Sequence, residues 1–123
     1  MYINIKKAFS VIEKFNLVID ISDIIIDEIL ERAVYKFRCN LSKENLKVDI
    51  RWIISSKGLT YSYQLYSNKP LLRWDNAPHF PKIKTYPHHF HNEKNDVFES
   101  DLKGEVFTDI KIVFTEIEKF INP

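Results

Sequence analysis

The spacing of apolar residues predicts a helix near each end of the chain. Between residues 3 and 15, apolar residues recur at intervals of three and four, and charged residues fill the positions between them. The same spacing returns between residues 106 and 121, where Thr108 and Asp109 offer a start for the helix. Both segments are therefore predicted to be amphipathic helices that pack one apolar face on the rest of the protein.

Between these helices, apolar and polar residues alternate, which predicts β-strands. Four segments show the alternation, at residues 34–39, 46–51, 59–66 and 71–74, and short polar turns separate them. Consecutive strands joined by short turns pair antiparallel, so we predict a four-stranded meander. The expected fold class is α+β, with this antiparallel sheet packed against N- and C-terminal helices in a single domain over residues 1–123.

The alternation ends after the fourth strand, and the next segment has an unusual composition. Residues 75–91 contain three prolines, and they also contain all four histidines of the chain: His79, His88, His89 and His91. Because proline interrupts strand pairing and restricts the backbone, we predict a rigid Pro/His-rich loop. Wherever that chain is extended, His89 and His91 point to one side and His88 to the other.

Composition and charge limit the classes of protein. The chain has 123 residues, 45% hydrophobic and 28% charged, the profile of one ordinary globular domain, and no apolar run is long enough to span a bilayer. The single cysteine, Cys39, excludes an internal disulfide framework and favours a reducing compartment. A net charge of +1 requires any nucleic acid to bind a local basic patch, for which Lys82 and Lys84 are candidates.

The histidine segment predicts catalytic chemistry. Imidazole exchanges protons near neutral pH, so two of these rings can serve as general base and general acid. Arg73 and Asp75 stand at the end of the fourth strand, next to this segment. An arginine can hold a phosphate and offset transition-state charge, and an aspartate can fix the tautomer of a neighbouring imidazole. The candidate catalytic residues are His79, His88, His89, His91, Arg73 and Asp75.

Other interpretations of the same residues remain open. A divalent metal ion could be held by His79, His89, His91 and Asp75, although their spacing matches no established zinc signature. The histidines could instead be structural, or the loop could dock a protein or nucleic acid without catalysis. Tyr61 and Tyr63 could stack on RNA bases, although tyrosines on a strand face more often belong to the core. Trp52 and Trp74 are predicted to be core residues.

One resemblance to a known family is carried by a long motif. The string Arg73-Trp74-Asp75-Asn76-Ala77-Pro78-His79, followed by Pro81 and then by Thr85-Tyr86-Pro87-His88-His89-Phe90-His91, resembles the signature of the TumE toxin family. The resemblance extends over the strand order from about residue 28 to residue 91. The chain departs from the pattern at Phe80, where a second histidine is usual.

The resemblance implies a toxin of a type II toxin–antitoxin pair, acting in the cytoplasm as an endoribonuclease. Its implied partners are an antitoxin with a helix-turn-helix DNA-binding domain and an RNA substrate, with no membrane, and a homodimer within the toxin–antitoxin complex is a further expectation. The first scheme needs no cofactor: His79 or His89 is the base, His91 the acid, and Arg73 stabilises the phosphorane. The antitoxin is expected on an exposed part of the C-terminal helix or on an edge strand.

Overall fold

The computed structural model describes residues 2–43 and 45–123, which form two helices and one antiparallel sheet. The helices are α1 (Ile5–Glu13) and α2 (Val106–Ile121). Seven strands are described, and each pairs antiparallel with the next, so the sheet is one continuous meander. In chain order the strands are β1 (Val18–Ile29), β2 (Arg32–Leu41), β3 (Lys47–Ser55), β4 (Gly58–Tyr66), β5 (Pro70–Asp75), β6 (His89–His91) and β7 (Val97–Glu99).

The α+β fold class is confirmed, but the prediction of four strands is wrong. The four predicted strands correspond to β2 to β5, and the sheet also contains β1 before them and β6 and β7 after them. The Pro/His-rich segment is therefore not a loop throughout, because its last three residues form β6. Strand β1 lacks a clear alternation because most of its residues are exposed, and β6 and β7 are only three residues long.

Both helices are confirmed, with shorter or shifted ends. Helix α1 begins after Asn4, whose side chain accepts a hydrogen bond from the backbone N–H of Lys7. Helix α2 begins at Val106 and not at Thr108, because the carboxylate of Glu105 caps it by accepting the N–H of Thr108 at 2.6 Å. Each cap satisfies a backbone donor that the first helical turn leaves without a partner.

The core lies between the helices and one face of the sheet. Phe9 of α1 packs edge-on against Phe37 of β2, and Phe15 stacks on Phe114 of α2 with ring centroids 5.4 Å apart. The predicted burial of Trp52 and Trp74 is confirmed, and Cys39 is buried as well. Burial raises the pKa of the Cys39 thiol, which keeps it protonated near neutral pH. No described helix is both long enough and apolar enough to cross a membrane.

No helix in the described part of the chain covers the opposite face of the sheet, and we call it the open face. Along β4 the core face carries Tyr61, Tyr63 and Leu65, all buried, while Ser62 and Gln64 point the other way and are half-buried. The alternation continues into β5, where Leu72 and Trp74 face the core. The polar residues between them, Arg73 and Asp75, therefore belong to the open face.

Candidate active site

Four of the predicted site residues come together on the open face, where β5 and β6 lie side by side. In the β5–β6 register Arg73 is opposite His91, and Asp75 is opposite His89. Because residues two apart on a strand share a face, all four side chains project from the same side. The prediction that His89 and His91 point together is thus confirmed, and pairing with β5 places both beside Arg73 and Asp75.

Asp75 is the centre of this group and is only 5% exposed. One carboxylate oxygen, Oδ2, accepts a hydrogen bond from Nε of Arg73 at 2.7 Å, and the other, Oδ1, accepts the backbone N–H of Ala77 at 3.0 Å. Nε2 of His89 lies 3.0 Å from Oδ1, and Nε2 of His91 lies 3.9 Å from Oδ2. A buried carboxylate requires such compensation, and here an arginine, a backbone amide and two imidazoles surround it.

Both imidazoles are oriented by a partner on their other ring nitrogen. Nδ1 of His89 lies 3.0 Å from the carbonyl oxygen of Pro87, and Nδ1 of His91 lies 3.0 Å from Oδ1 of Asn95. Carbonyl and carboxylate oxygens only accept, so a neutral ring can donate to one of its two partners, whereas a doubly protonated ring donates to both. When a neutral ring keeps its proton on Nδ1, its Nε2 presents a lone pair towards Asp75. Burial, the largest cause, lowers the pKa of His91, while the contact with Asn95 acts in the opposite direction.

When both rings are in this state, two imidazole lone pairs face one carboxylate, an arrangement that attracts a cation. One ligand atom from each of Asp75, His89 and His91 lies within 4.8 Å of the others. Histidines that bind metals usually donate their second ring N–H to a carbonyl or carboxylate, as these two rings do. The group can therefore hold either a proton shared with an imidazole or a divalent metal ion.

His79 and Phe80 lie on the turn that follows β5. His79 is exposed and is not part of the group formed by Asp75, His89 and His91, so its proposed place in a metal site is not supported. The ring of Phe80 contacts that group edge-on, with centroids 4.8 Å from His89 and 5.8 Å from His91, and lies 6.5 Å from His79. Phe80 thus covers the two histidines and separates them from His79.

His88 lies on the core side of the sheet. Its Nδ1 is 2.7 Å from the hydroxyl of Tyr61, and the two rings stack with centroids 5.8 Å apart. Burial is the largest cause that lowers the pKa of His88, and the carboxylate of Asp109 acts against it. The catalytic role considered for His88 is therefore not supported by its position, because its ring points away from Asp75, as the alternation along an extended chain predicts.

A family model described as "Toxin TumE" matches residues 8–121, which is nearly the whole chain. The chain belongs to the TumE toxin family. It is accordingly a toxin of a toxin–antitoxin system, and membership of this family implies an antitoxin partner in general. No curated protein and no solved structure is matched by this toxin. The motif that carried the resemblance coincides with the described site, because it begins at Arg73 in β5 and ends at His91 in β6.

Within the toxin, Asn76 of this motif has a structural role that sequence reasoning did not assign. Its Oδ1 accepts the backbone N–H of Tyr61 at 2.9 Å, and its Nδ2 donates to the carbonyl of Leu59 at 2.8 Å. The side chain therefore continues the hydrogen bonding between β4 and β5 past the last strand residue. This contact fixes the backbone at Asp75, the residue before it.

The structure places the expected RNA-binding residues of the toxin in two different environments. Tyr61 and Tyr63 are buried at 1% and 0% exposure, so neither ring offers a face to a base, and the alternative reading as core residues holds. Lys82 and Lys84 are exposed on the turns between β5 and β6, where a phosphate could reach them. Asn95, which orients His91, was missed, because the polar stretch around it shows no pattern beyond exposure.

Proposed function

We propose that this toxin is an endoribonuclease of a type II system that acts in the cytoplasm, with its active site at four converging side chains, Arg73, Asp75, His89 and His91, and with His79 on the adjoining turn as the candidate base. The proposal rests on the convergence of these four side chains on the open face of the sheet. In this reaction a ribose 2′-oxygen attacks the adjacent phosphorus, and the bond from phosphorus to the 5′-oxygen breaks. A base takes the 2′ proton and an acid protonates the 5′-oxygen, which leaves a cyclic phosphate and a 5′-hydroxyl.

In the proposed first scheme the residues have different tasks, which their exposure supports. Arg73 has a side chain that is 40% exposed, so it can turn part of its guanidinium to a phosphate and offset the charge of the phosphorane. His91 retains 16% side-chain exposure and serves as the acid. His89 is 2% exposed and cannot reach a ribose, so it acts as a positioning residue, and the exposed His79 becomes the candidate base.

A second mechanism has a specific observation in its favour. The Nδ1 atoms of His89 and His91 both face acceptors, and their Nε2 atoms converge on Asp75. This is the arrangement of a divalent-metal site with two imidazole ligands and one carboxylate. A bound ion would supply Lewis-acid stabilisation of the phosphate or an activated water. Arg73, which is already hydrogen-bonded to Asp75, would then hold that carboxylate in position.

Cleavage of a labelled RNA by the purified toxin tests the proposal and separates the two mechanisms. His91→Ala should remove activity, whereas His88→Gln, a change at a histidine on the other face, should retain most of it in a variant shown by circular dichroism to be folded. Activity that persists in EDTA, with cyclic phosphate ends, supports the first scheme. Loss of cleavage in EDTA, with recovery when Mn²⁺ or Zn²⁺ is added, supports the metal-dependent mechanism. Full activity of His91→Ala would overturn both.

We propose further that the antitoxin, a protein with a helix-turn-helix DNA-binding domain, covers the free edge of β1. Among residues 2–43 and 45–123, strand β1 pairs on one side only, with β2. It carries four isoleucines at 43–57% exposure: Ile24, Ile25, Ile26 and Ile29. Exposed apolar residues on an unpaired edge favour a partner that adds backbone hydrogen bonds and apolar contacts. The family supplies that partner, because a TumE toxin has an antitoxin.

Co-purification of tagged toxin with its antitoxin tests this surface. The double variant Ile24→Lys/Ile26→Lys should lose the antitoxin, whereas Phe120→Lys, an equivalent change at a 37%-exposed residue of α2, should keep it. Loss of antitoxin binding in Phe120→Lys alone would place the interface on the C-terminal helix instead. Retention in the β1 variant, combined with dissociation of a toxin homodimer, would assign the edge to a second toxin copy.

A further inference from the structure

A row of side chains crosses the open face and leads to the proposed active site. The registers of adjacent strands place Lys36 opposite Arg51, Arg51 opposite Ser62, Ser62 opposite Asp75, and Asp75 opposite His89. Strands in a sheet are roughly 4.8 Å apart, so along this row the backbone at Arg51 lies roughly 10 Å from the backbone at Asp75, and the backbone at Lys36 roughly 14 Å from it. The row is not apparent in the sequence, because its members are distributed over five strands.

Lys36 and Arg51 form an unusual pair. They are exposed, directly opposite one another on adjacent strands, and have the same charge, an arrangement that destabilises a sheet unless an anion compensates it. Among residues 2–43 and 45–123, no carboxylate lies within ion-pair distance of either side chain. Both cations are therefore available to a ligand.

The neighbouring arginine, Arg38, shows the contrast. Its guanidinium is held by Asp49 at 2.9 Å and by Asp23 at 3.3 Å, and the hydrogen bond to Asp49 raises its pKa further. Asp49 also accepts a hydrogen bond from the hydroxyl of Tyr66. Arg38 is thus neutralised within the protein, whereas Lys36 and Arg51 on the adjacent row are not.

A groove joins these cations to the active site. It has a volume of about 380 Å³, within the range of small-ligand sites, and its lining includes Lys36, Arg51, Gln64 and Arg73. Arg73 is shared with the proposed active site, where it contacts Asp75. A chain of phosphates lying along the groove would therefore pass from the two free cations to the reacting groups.

We infer that this groove binds the phosphate backbone of single-stranded RNA beside the scissile bond, an inference that rests on the proposed ribonuclease function. Lys36 and Arg51 contact phosphates that neighbour the reacting one, because their backbones lie three and two strands away from Asp75. A single strand fits this site because a flexible backbone can follow the surface to His91, whose side chain is only 16% exposed. The contacts are electrostatic and independent of base sequence.

Salt-dependent binding tests the inference without requiring cleavage. A fluorescein-labelled single-stranded RNA with 2′-O-methyl riboses, which cannot be cut by attack of its own 2′-oxygen, is titrated with toxin at several NaCl concentrations. Each phosphate contact to a single strand contributes about 0.7 to the slope of log K against log salt, so Lys36→Ala/Arg51→Ala should reduce that slope by about 1.4. Lys14→Ala/Lys57→Ala, which removes the same charge from exposed positions outside the groove, should leave the slope unchanged.

The outcomes separate this inference from the proposed function. An unchanged salt slope for Lys36→Ala/Arg51→Ala, or an equal reduction in the control variant, would overturn the inference that the groove binds RNA, even if the toxin cleaves RNA. A reduction of the slope in Lys36→Ala/Arg51→Ala alone supports RNA binding in the groove, even if no cleavage is found. Normal RNA binding together with lost antitoxin binding in the groove variant would assign the two cations to an acidic protein segment, and would overturn the inference.

Discussion

Replacing Asp75 by asparagine is the sharpest test of the site, because the change keeps the shape of the side chain and removes its charge. The carboxylate accepts one hydrogen bond on each oxygen, from Arg73 and from the N–H of Ala77. An amide has one oxygen and one NH₂ group, so whichever way it is turned, one of the two donors faces another donor. Asp75→Asn should therefore lose one hydrogen bond and weaken the other.

The size of the effect follows from the exposure of the two donors. The guanidinium of Arg73 can turn to water, since its side chain is 40% exposed, so losing that pair costs about 0.5–1 kcal/mol. The amide oxygen keeps the N–H of Ala77, but a hydrogen bond to a neutral acceptor is worth about 1 kcal/mol less than one to a charged acceptor. Together, these contributions lower the free energy of unfolding by about 1.5–2 kcal/mol.

Urea unfolding followed by tryptophan fluorescence measures this loss. With a urea dependence of about 2 kcal/mol per molar, the midpoint should fall by about 1 M. Asp101→Asn makes the same chemical change at an exposed residue and should shift the midpoint little. Equal midpoints for Asp75→Asn and Asp101→Asn would refute the view that Asp75 is the centre of a compensated network. Undiminished RNA cleavage by the folded variant would refute its catalytic importance.

Three further predictions concern the rest of the fold, each measured as a free energy of unfolding. Gly104→Ala should cost about 1–2 kcal/mol, since φ is +80° there, and a neutral result would contradict that conformation. Phe114→Ala should cost about 3–5 kcal/mol, because the ring is fully buried, and a loss below 1 kcal/mol would show that the core refills. Burial raises the pKa of Asp109, so the folded chain binds that proton more tightly than the unfolded chain, and the free energy of unfolding falls as pH rises above about 3.8. Asp109→Asn should remove this pH dependence. An unchanged slope of stability against pH in that variant would contradict the raised pKa.

The extent of the sheet could be predicted only where one face is buried. Strands β2 to β5 alternate because their core-facing residues lie against helices, and these four strands were predicted. Strand β1 has exposed residues on both faces, including the consecutive Ile24 to Ile26, so a period of two has no physical basis there. It also has a register shift between Ser22 and Ile25, with Asp23 at a positive φ of 53°, which interrupts any pattern further.

The site was predicted in its chemistry but not in its geometry. The composition around His79 to His91 indicated the reacting residues, and the strand period indicated that His88 points away. The pairing of β5 with β6 is a tertiary contact between residues about 15 positions apart, and it alone decides that His89 and His91 meet Asp75. No periodicity in the sequence reports that register, so His79 could not be separated from the group in advance.

The open face has features that destabilise a sheet, namely paired like charges and buried polar side chains, and these features lie along one row. At one end, Lys36 and Arg51 oppose each other with like charge, and at the other, Asp75 and His89 are buried without a helix over them. Elsewhere on the same face, Arg38 is fully compensated by carboxylates, so the sheet can satisfy a cation where a ligand is not needed. Local conflicts of this kind are expected at functional sites. Their alignment across five strands is most simply explained by one extended anion that lies along the row.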